Sequence, residues 1–172
     1  MIAAVRLLDS PVGPITVGAM PEGVYRLDLG DAGTPQCRLP EEDGAGRATA
    51  AAEILERACA QVLEYFGGTR RDFDAPLYVP QGAPFQQAVW EAVRRIPYGE
   101  TRTYGDIARE TGRPKAARAV GASLHWNPVA LIIPCHRVIG KDGSLCGFGS
   151  GVDIKAYLLA FERERKHPTA GA

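Results

Sequence analysis

Five consecutive residues, Pro134-Cys135-His136-Arg137-Val138, put a thiol, an imidazole and a guanidinium side by side. That combination suits nucleophilic chemistry, because the thiolate is the attacking form and a basic neighbourhood lowers a thiol's pKa. Such a nucleophile also needs a base within reach, and the base needs a group to orient it. The apolar run Pro128-Val129-Ala130-Leu131-Ile132-Ile133 reads as a buried segment that delivers Cys135 to a fixed place. The same run also fits an ordinary core, where a buried thiol acts as a small hydrophobe. A His-Arg pair directly after the cysteine is what such a core rarely holds. The last helix read from the sequence, Val152 to Lys166, offers a carboxylate. Its apolar stripe is Ile154, Tyr157, Leu158 and Phe161, and the row from Ile154 through Leu158 continues to Glu162. An inward carboxylate needs a partner, since an isolated buried charge is costly, and a histidine would supply one. A Glu162 turned to solvent, or paired with Arg165 or Lys166, fits the same spacing.

A second group of residues lies upstream. Thr103 can cap a short helix from Tyr104 to Glu110, with Ile107 and Ala108 facing inward. Gly112-Arg113-Pro114 makes a turn, and a second helix runs from Lys115 to Trp126. Two short helices around a glycine turn match a helix-turn-helix. Ala117, Val120 and Leu124 share one side of the second helix. The other side carries Arg118, Gly121, Ala122 and His125, and is nearly bare apart from Arg118. A bare face lets a backbone approach a partner closely. One reading is a DNA recognition helix with Arg118 probing the duplex; the other is packing against a neighbouring helix. The stretch from Gly140 to Gly151 is rich in glycine, which suits special backbone angles or close ligand approach.

The elements that must hold these residues suggest an α+β fold. A small N-terminal α/β domain with an antiparallel sheet, residues 1–80, precedes a mostly helical C-terminal domain, residues 84–172, with the helix-turn-helix. Val5–Leu8, Ile15–Ala19 and Val24–Leu29 read as a strand meander broken by Pro and Gly. Gly30 to Arg47 reads as a loop. Thr49 to Phe66 reads as a helix with Ile54, Ala58, Val62 and Tyr65 on one face and Cys59 in the core, ended by Gly67-Gly68. A linker follows, with a short strand at Leu77–Val79. Pro84 opens the next helix, with a stripe of Phe85, Ala88, Val89, Ala92, Val93 and Ile96.

Composition narrows the class. The chain has 172 residues, 45% hydrophobic and 23% charged, which is ordinary for a globular protein. No stretch resembles a signal peptide or a membrane span, so a cytoplasmic protein without membrane contact is expected. Cys37, Cys59, Cys135 and Cys146 are scattered and expected to be free thiols in a reducing compartment. Neither they nor His125, His136 and His167 form the close ligand pairs of a zinc site, so no metal is expected. Formal net charge is zero, yet residues 1–84 sum to −5 and residues 85–172 to +5. A basic half hints at a polyanionic partner.

The run Asn127-Pro128-Val129-Ala130-Leu131-Ile132-Ile133-Pro134-Cys135-His136-Arg137-Val138 closely resembles the O6-alkylguanine-DNA alkyltransferases, and Lys115-Ala116-Ala117-Arg118-Ala119-Val120-Gly121 is similar to their recognition helix. The resemblance is strong over residues 84–165 and covers the N-terminal domain in outline. It implies a suicide repair protein that moves an alkyl group from O6 of guanine, or O4 of thymine, in double-stranded DNA to Cys135. His136 would act as base through a water, Glu162 would orient His136, and Asn127 would organise the hydrogen-bond network. Tyr104 would aid base flipping and donate a proton toward the guanine ring. Arg118 would fill the space the base leaves, within a minor-groove surface that also uses Thr103, Lys115, Ala117, Gly121 and Ala122. The pocket would include the Val138 carbonyl, Phe148, Gly149, Ser150 and Lys155. The thioether product is too stable to break, so each molecule acts once, with no metal or organic cofactor. The resemblance further implies a monomer, with cooperative assembly on DNA as an option.

Phe148 and Gly149 depart from the Tyr and Ser of some relatives, which removes a hydroxyl from the pocket and bears on which alkyl groups fit. Cys146 adds a second thiol in the same loop. Two other classes compete. A non-catalytic lesion-binding relative would have its cysteine replaced, which Cys135 opposes. A helix-turn-helix regulator with a redox-sensing cysteine would need neither Glu162 on the inward row nor the glycine-rich loop. A cysteine hydrolase fits less well, because its histidine lies far along the chain rather than beside the thiol.

Overall fold

A computed structural model describes residues 4–30, 45–80 and 82–166. It divides into two compact units, Met1–Pro80 with Pro128–Ala130, and Gln81–Asn127 with Leu131–Ala172. The first unit is built on a sheet of order β1-β2-β3, formed by β1 (Ala4–Leu8), β2 (Ile15–Met20) and β3 (Gly23–Leu29). Both pairings are antiparallel, with Leu8 opposite Ile15 and Ile15 opposite Leu29. Ile15, Val17 and Ala19 of β2 are fully buried, and helix α1 (Ala45–Phe66) packs on this strand through a row that includes Leu55, Ala58, Cys59 and Val62. Each such large aliphatic side chain contributes roughly 1.5–3 kcal/mol by leaving water. Cys59 is core, as its place on the helix predicts, and burial pushes its thiol up to about 11.

The short strand expected at Leu77–Val79 is instead a single parallel bridge between Leu77 and Val24. Val24 N–H donates to the Pro76 carbonyl (2.7 Å) and Tyr78 N–H to the Val24 carbonyl (2.9 Å). Gly23 permits this approach. Its φ is +151°, and a Cβ there would sit 2.7 Å from the Leu77 carbonyl carbon. Leu27 makes a second parallel bridge, to Val129. The predicted loop Gly30–Arg47, apart from Gly30 and the start of α1, lies outside the described residues, as do Cys37 and His167.

The second unit carries α2 (Pro84–Arg94), β4 (Arg102–Thr103), α3 (Tyr104–Glu110), α4 (Ala117–His125), a 3₁₀ turn (Cys135–Arg137), β5 (Val138–Ile139) and α5 (Val152–Lys166). Pro84 stands in the first turn of α2, where its missing N–H has no cost. The buried arc of α2 is Val89, Trp90, Ala92 and Val93. Ala88, placed inward from hydropathy, is exposed, and Trp90 takes the inward position. Trp90 has a polar partner there, since its Nε1–H donates to the Ser123 carbonyl at 3.0 Å.

α3 spans the predicted residues. Thr103 caps it in a full capping box: Thr103 Oγ1 accepts from the Asp106 N–H (3.1 Å), and Asp106 Oδ2 accepts from the Thr103 N–H (2.8 Å). α4 begins at Ala117 rather than Lys115, because Arg113–Ala116 closes a turn around Pro114 with Ala116 N–H donating to the Arg113 carbonyl (2.8 Å). It ends at His125, with Trp126 as the cap. Strands β4 and β5 pair in parallel, Arg102 with Val138 and Thr103 with Ile139. That pairing brings the start of α3 beside the residue that follows the cysteine motif. Among the described residues no helix is long and apolar enough to cross a membrane.

Candidate active site

Leu131 begins the approach to Cys135 with φ +66°, a left-handed conformation unusual for a large side chain. It costs on the order of 1–2 kcal/mol, and the buried surroundings of Leu131 through Ile133 hold it in place. Pro134 then leads into the 3₁₀ turn Cys135–Arg137, in which Arg137 N–H donates to the Pro134 carbonyl at 2.9 Å. With three residues per turn, successive side chains leave such a turn about 120° apart. The three reactive neighbours therefore part company. Cys135 meets Asn127, whose Nδ2 donates to Sγ (3.1 Å) and to the Ile133 carbonyl (2.8 Å). His136 and Arg137 both turn to Glu162.

Glu162 is fully buried and receives four donors. Oε1 accepts from His136 Nε2 (2.8 Å) and Arg137 Nη2 (2.9 Å). Oε2 accepts from Arg137 Nε (2.9 Å) and the Gly99 N–H (3.0 Å). The inward reading of Glu162 therefore holds, and the solvent-facing alternative does not. Gly99 must be glycine to reach it: φ is +71°, and a Cβ would lie 2.9 Å from the Lys166 side chain. Burial alone would raise the Glu162 pKa, but the hydrogen bonds and charges of His136 and Arg137 hold its carboxyl well below the usual carboxylate range. Because an ionised carboxylate only accepts, His136 Nε2 carries the hydrogen, and Nδ1 is left as the basic lone pair. Nδ1 is buried and has no hydrogen-bond partner among the described residues.

Burial also lowers the His136 pKa, against the pull of Glu162, so the ring is neutral near pH 7. Burial raises the Cys135 thiol, partly offset by the Asn127 hydrogen bond and the Lys155 charge. This reverses the expectation of a thiol lowered by basic neighbours. His136 carries no charge at rest, and Arg137 is bound to Glu162. The resting pair is a neutral thiol and a neutral imidazole.

Two stability effects follow, with the same sign. His136 has a folded pKa below its ordinary 6.5, so unfolding takes up a proton and stability is lost as pH falls through that value. Glu162 has a folded pKa below its ordinary 4.5, so its contribution is lost at still lower pH. Tm should therefore fall between pH 7.5 and pH 5, and His136→Gln should flatten that fall; an unchanged slope in the variant would assign the acid sensitivity elsewhere.

The other candidates gather around Lys155, which is 1% exposed. Its Nζ donates to the carbonyls of Val138 (2.7 Å) and Cys146 (3.2 Å), and it lies 5.8 Å from the Tyr104 ring centroid and 6.0 Å from that of Phe148. Lys155 replaces Tyr157 in the inward row of α5: Tyr157, read as part of the apolar stripe, is 37% exposed. Burial lowers the Lys155 pKa and raises that of Tyr104, which keeps a neutral phenol. Tyr104 also lines an open cleft of about 600 Å³, together with Ala117, Arg118, Gly121, His125, Cys146, Gly147 and Phe148. The nearly bare face of α4 thus borders open space. Arg118, Ala122 and His125 are exposed, while Val120, Ser123 and Leu124 supply the buried side; Ala117, placed with Val120 and Leu124 from its spacing, instead lines the cleft, and Ser123 takes the inward position.

Models of two domains match the chain. The 6-O-methylguanine DNA methyltransferase DNA binding domain covers residues 84–164, and the ribonuclease-like domain of the same methyltransferase covers residues 4–79. A methylated-DNA–protein-cysteine methyltransferase of Methanosarcina acetivorans is 43% identical over 91% of this chain and 96% of its own. A constitutive one from Bacillus subtilis is 41% identical over 90% and 92%. The chain belongs to the 6-O-methylguanine DNA methyltransferase family. Among solved structures of that family, the Mycobacterium tuberculosis OGT in complex with DNA superposes with a TM-score of 0.79 at 40% identity, over 94% of this chain and 93% of its own.

Within this family member, the structure brings together Cys135, Asn127, His136 and Glu162 in one cluster and Tyr104, Val138, Phe148 and Lys155 in a second, linked to the first through Val138, which follows the 3₁₀ turn. Ala117, Arg118 and Gly121 line the cleft. Ala122 and Lys115 are exposed on and before α4, and Thr103 is occupied as the α3 cap. Gly149 and Ser150 lie beyond Phe148 in the loop and do not line this cleft. From the sequence, Arg137 has no assigned partner, Ile96 stands only in the apolar stripe of α2, and Gly99 has no link to Glu162. An arginine directly after the histidine was the available signal, but its partners lie 25 and 41 residues away.

Proposed function

We propose that this protein repairs alkylated DNA by moving the alkyl group of O6-alkylguanine, or of O4-alkylthymine, irreversibly to Cys135 Sγ. The observation that carries the reading is the fixed orientation of His136. Glu162 holds Nε2–H, which leaves Nδ1 as a buried base one residue from the thiol. A water passes the Cys135 proton to Nδ1, and Sγ then attacks the alkyl carbon. A C–S bond forms as the bond from that carbon to O6 breaks. Tyr104, a neutral phenol beside the cleft, gives a proton to the guanine ring so that a neutral base leaves. The Val138 carbonyl accepts from the guanine amino group with its second lone pair, the first being held by Lys155. Asn127 keeps Sγ on the line of attack.

The target reaches this site flipped out of the duplex. α3 and α4 act as a helix-turn-helix whose bare face, Ala117, Gly121 and Ala122, enters the minor groove. Arg118 takes the place of the extruded base, and Lys115 and the Thr103 end of α3 meet phosphates. Phe148 closes the pocket side, and Gly149 and Ser150 continue the loop that carries it. The protein acts as a monomer in the cytoplasm, where the free thiols of Cys59, Cys135 and Cys146 persist. Incubation of Cys135→Ser with duplex DNA carrying radiolabelled O6-methylguanine should leave no label on protein while duplex binding persists. Label retained in that variant would move the acceptor to another residue.

A further inference from the structure

We propose that Arg137 is a positioning residue for the reaction, fixing the charge and orientation of Glu162 so that His136 is kept as a free base. The inference rests on the reading of Cys135 as alkyl acceptor. Arg137 grips Glu162 through both Nε and Nη2, each at 2.9 Å, a fork geometry that fixes the carboxylate plane. Its third nitrogen, Nη1, donates to the Ile96 carbonyl at 2.6 Å, and the guanidinium lies 5.7 Å from the centroid of the Tyr98 ring. Arg137 is 4% exposed, so each of these contacts is made out of water.

Oε1 of Glu162 is the atom that both Arg137 and His136 bind. A carboxylate facing a lone buried histidine would draw a proton onto it and hold an imidazolium, which cannot accept from the thiol. The guanidinium counters this in two ways. It divides the negative charge of Glu162 with the ring, and it places a permanent cation next to the site where an imidazolium would form. The charged groups that act on His136 are Glu162 and Lys155 from α5 and Arg137 from its own turn; the α2–β4 connection contributes the Gly99 N–H to the shared carboxylate. Of these only Glu162 favours the protonated ring, while Arg137 and Lys155 oppose it. A lysine at position 137 would keep the cation and lose the fork.

The test is the single-turnover rate of Cys135 alkylation by free O6-benzylguanine, a substrate that needs no DNA binding, measured from pH 5.5 to pH 9. The wild type is compared with Arg137→Gln and Arg137→Lys. Loss of the cation should move the midpoint of the acid limb upward by about one unit or more in Arg137→Gln, with rates returning toward wild type at high pH. Arg137→Lys should give an intermediate midpoint, and it preserves the test if the glutamine variant does not fold. A uniform loss of rate with an unmoved midpoint in either folded variant would overturn the role and leave Arg137 as a structural contact. No alkylation of the wild type at any pH, by free O6-benzylguanine or by O6-methylguanine in duplex DNA, would instead defeat the reading of Cys135, and so separates the two failures.

Discussion

Glu162→Leu is expected to lower stability by about 3–5 kcal/mol, because it strands the buried Arg137 guanidinium without its carboxylate. For a chain of this length that corresponds to a fall in Tm on the order of 10 °C. Alkylation of Cys135 should slow by roughly 10²–10⁴-fold, the usual worth of a positioned base. All four donors to Glu162, from His136, Arg137 and Gly99, lose their acceptor at once. His136 is then free to change tautomer and orientation. Thermal melting and single-turnover alkylation on the same preparation check both effects. A variant that melts early yet reacts at the wild-type rate would show that Glu162 serves the fold and not the base.

Arg118→Ala is expected to act on the other half of the process. Arg118 is exposed on the cleft-facing side of α4. A side chain that fills the gap left by an extruded base compensates part of the unstacking cost, a few kcal/mol. Its loss should slow repair of O6-methylguanine in duplex DNA by roughly 10²-fold, and should leave reaction with the free alkylated base nearly unchanged. Equal losses on both substrates would contradict the role and point to a structural effect on the cleft.

Much of this architecture was legible where local chemistry decides it. The Thr103 cap and the span of α3 follow from a threonine set just before the run Tyr104 to Glu110, and α5 follows from its periodicity. The start of α4 was misplaced because Lys115 reads as a good helix residue, whereas the backbone around Pro114 is committed to a turn. In α5 hydropathy put Tyr157 inward and gave Lys155 no place. The structure does the reverse, because two carbonyls distant in sequence, those of Val138 and Cys146, satisfy the Lys155 ammonium. The same limit hid Arg137, whose partners are brought to it only by the folding of α2 and α5 around the 3₁₀ turn. The charge state of Cys135 was misjudged for a related reason. Adjacency in sequence suggested a cationic neighbourhood, but the turn sends His136 and Arg137 to Glu162 and leaves the thiol with Asn127.

The central claim is that Cys135 accepts one alkyl group and keeps it. Intact-mass and peptide measurements after incubation with excess duplex DNA containing O6-methylguanine test it directly. The account predicts a gain of one methyl group per chain, located on the peptide that holds Cys135, with no further product after every chain has reacted. Guanine formed beyond one equivalent per chain, a methyl group on Cys146 or Cys59, or an unchanged mass alongside retained binding of the lesion would each contradict it.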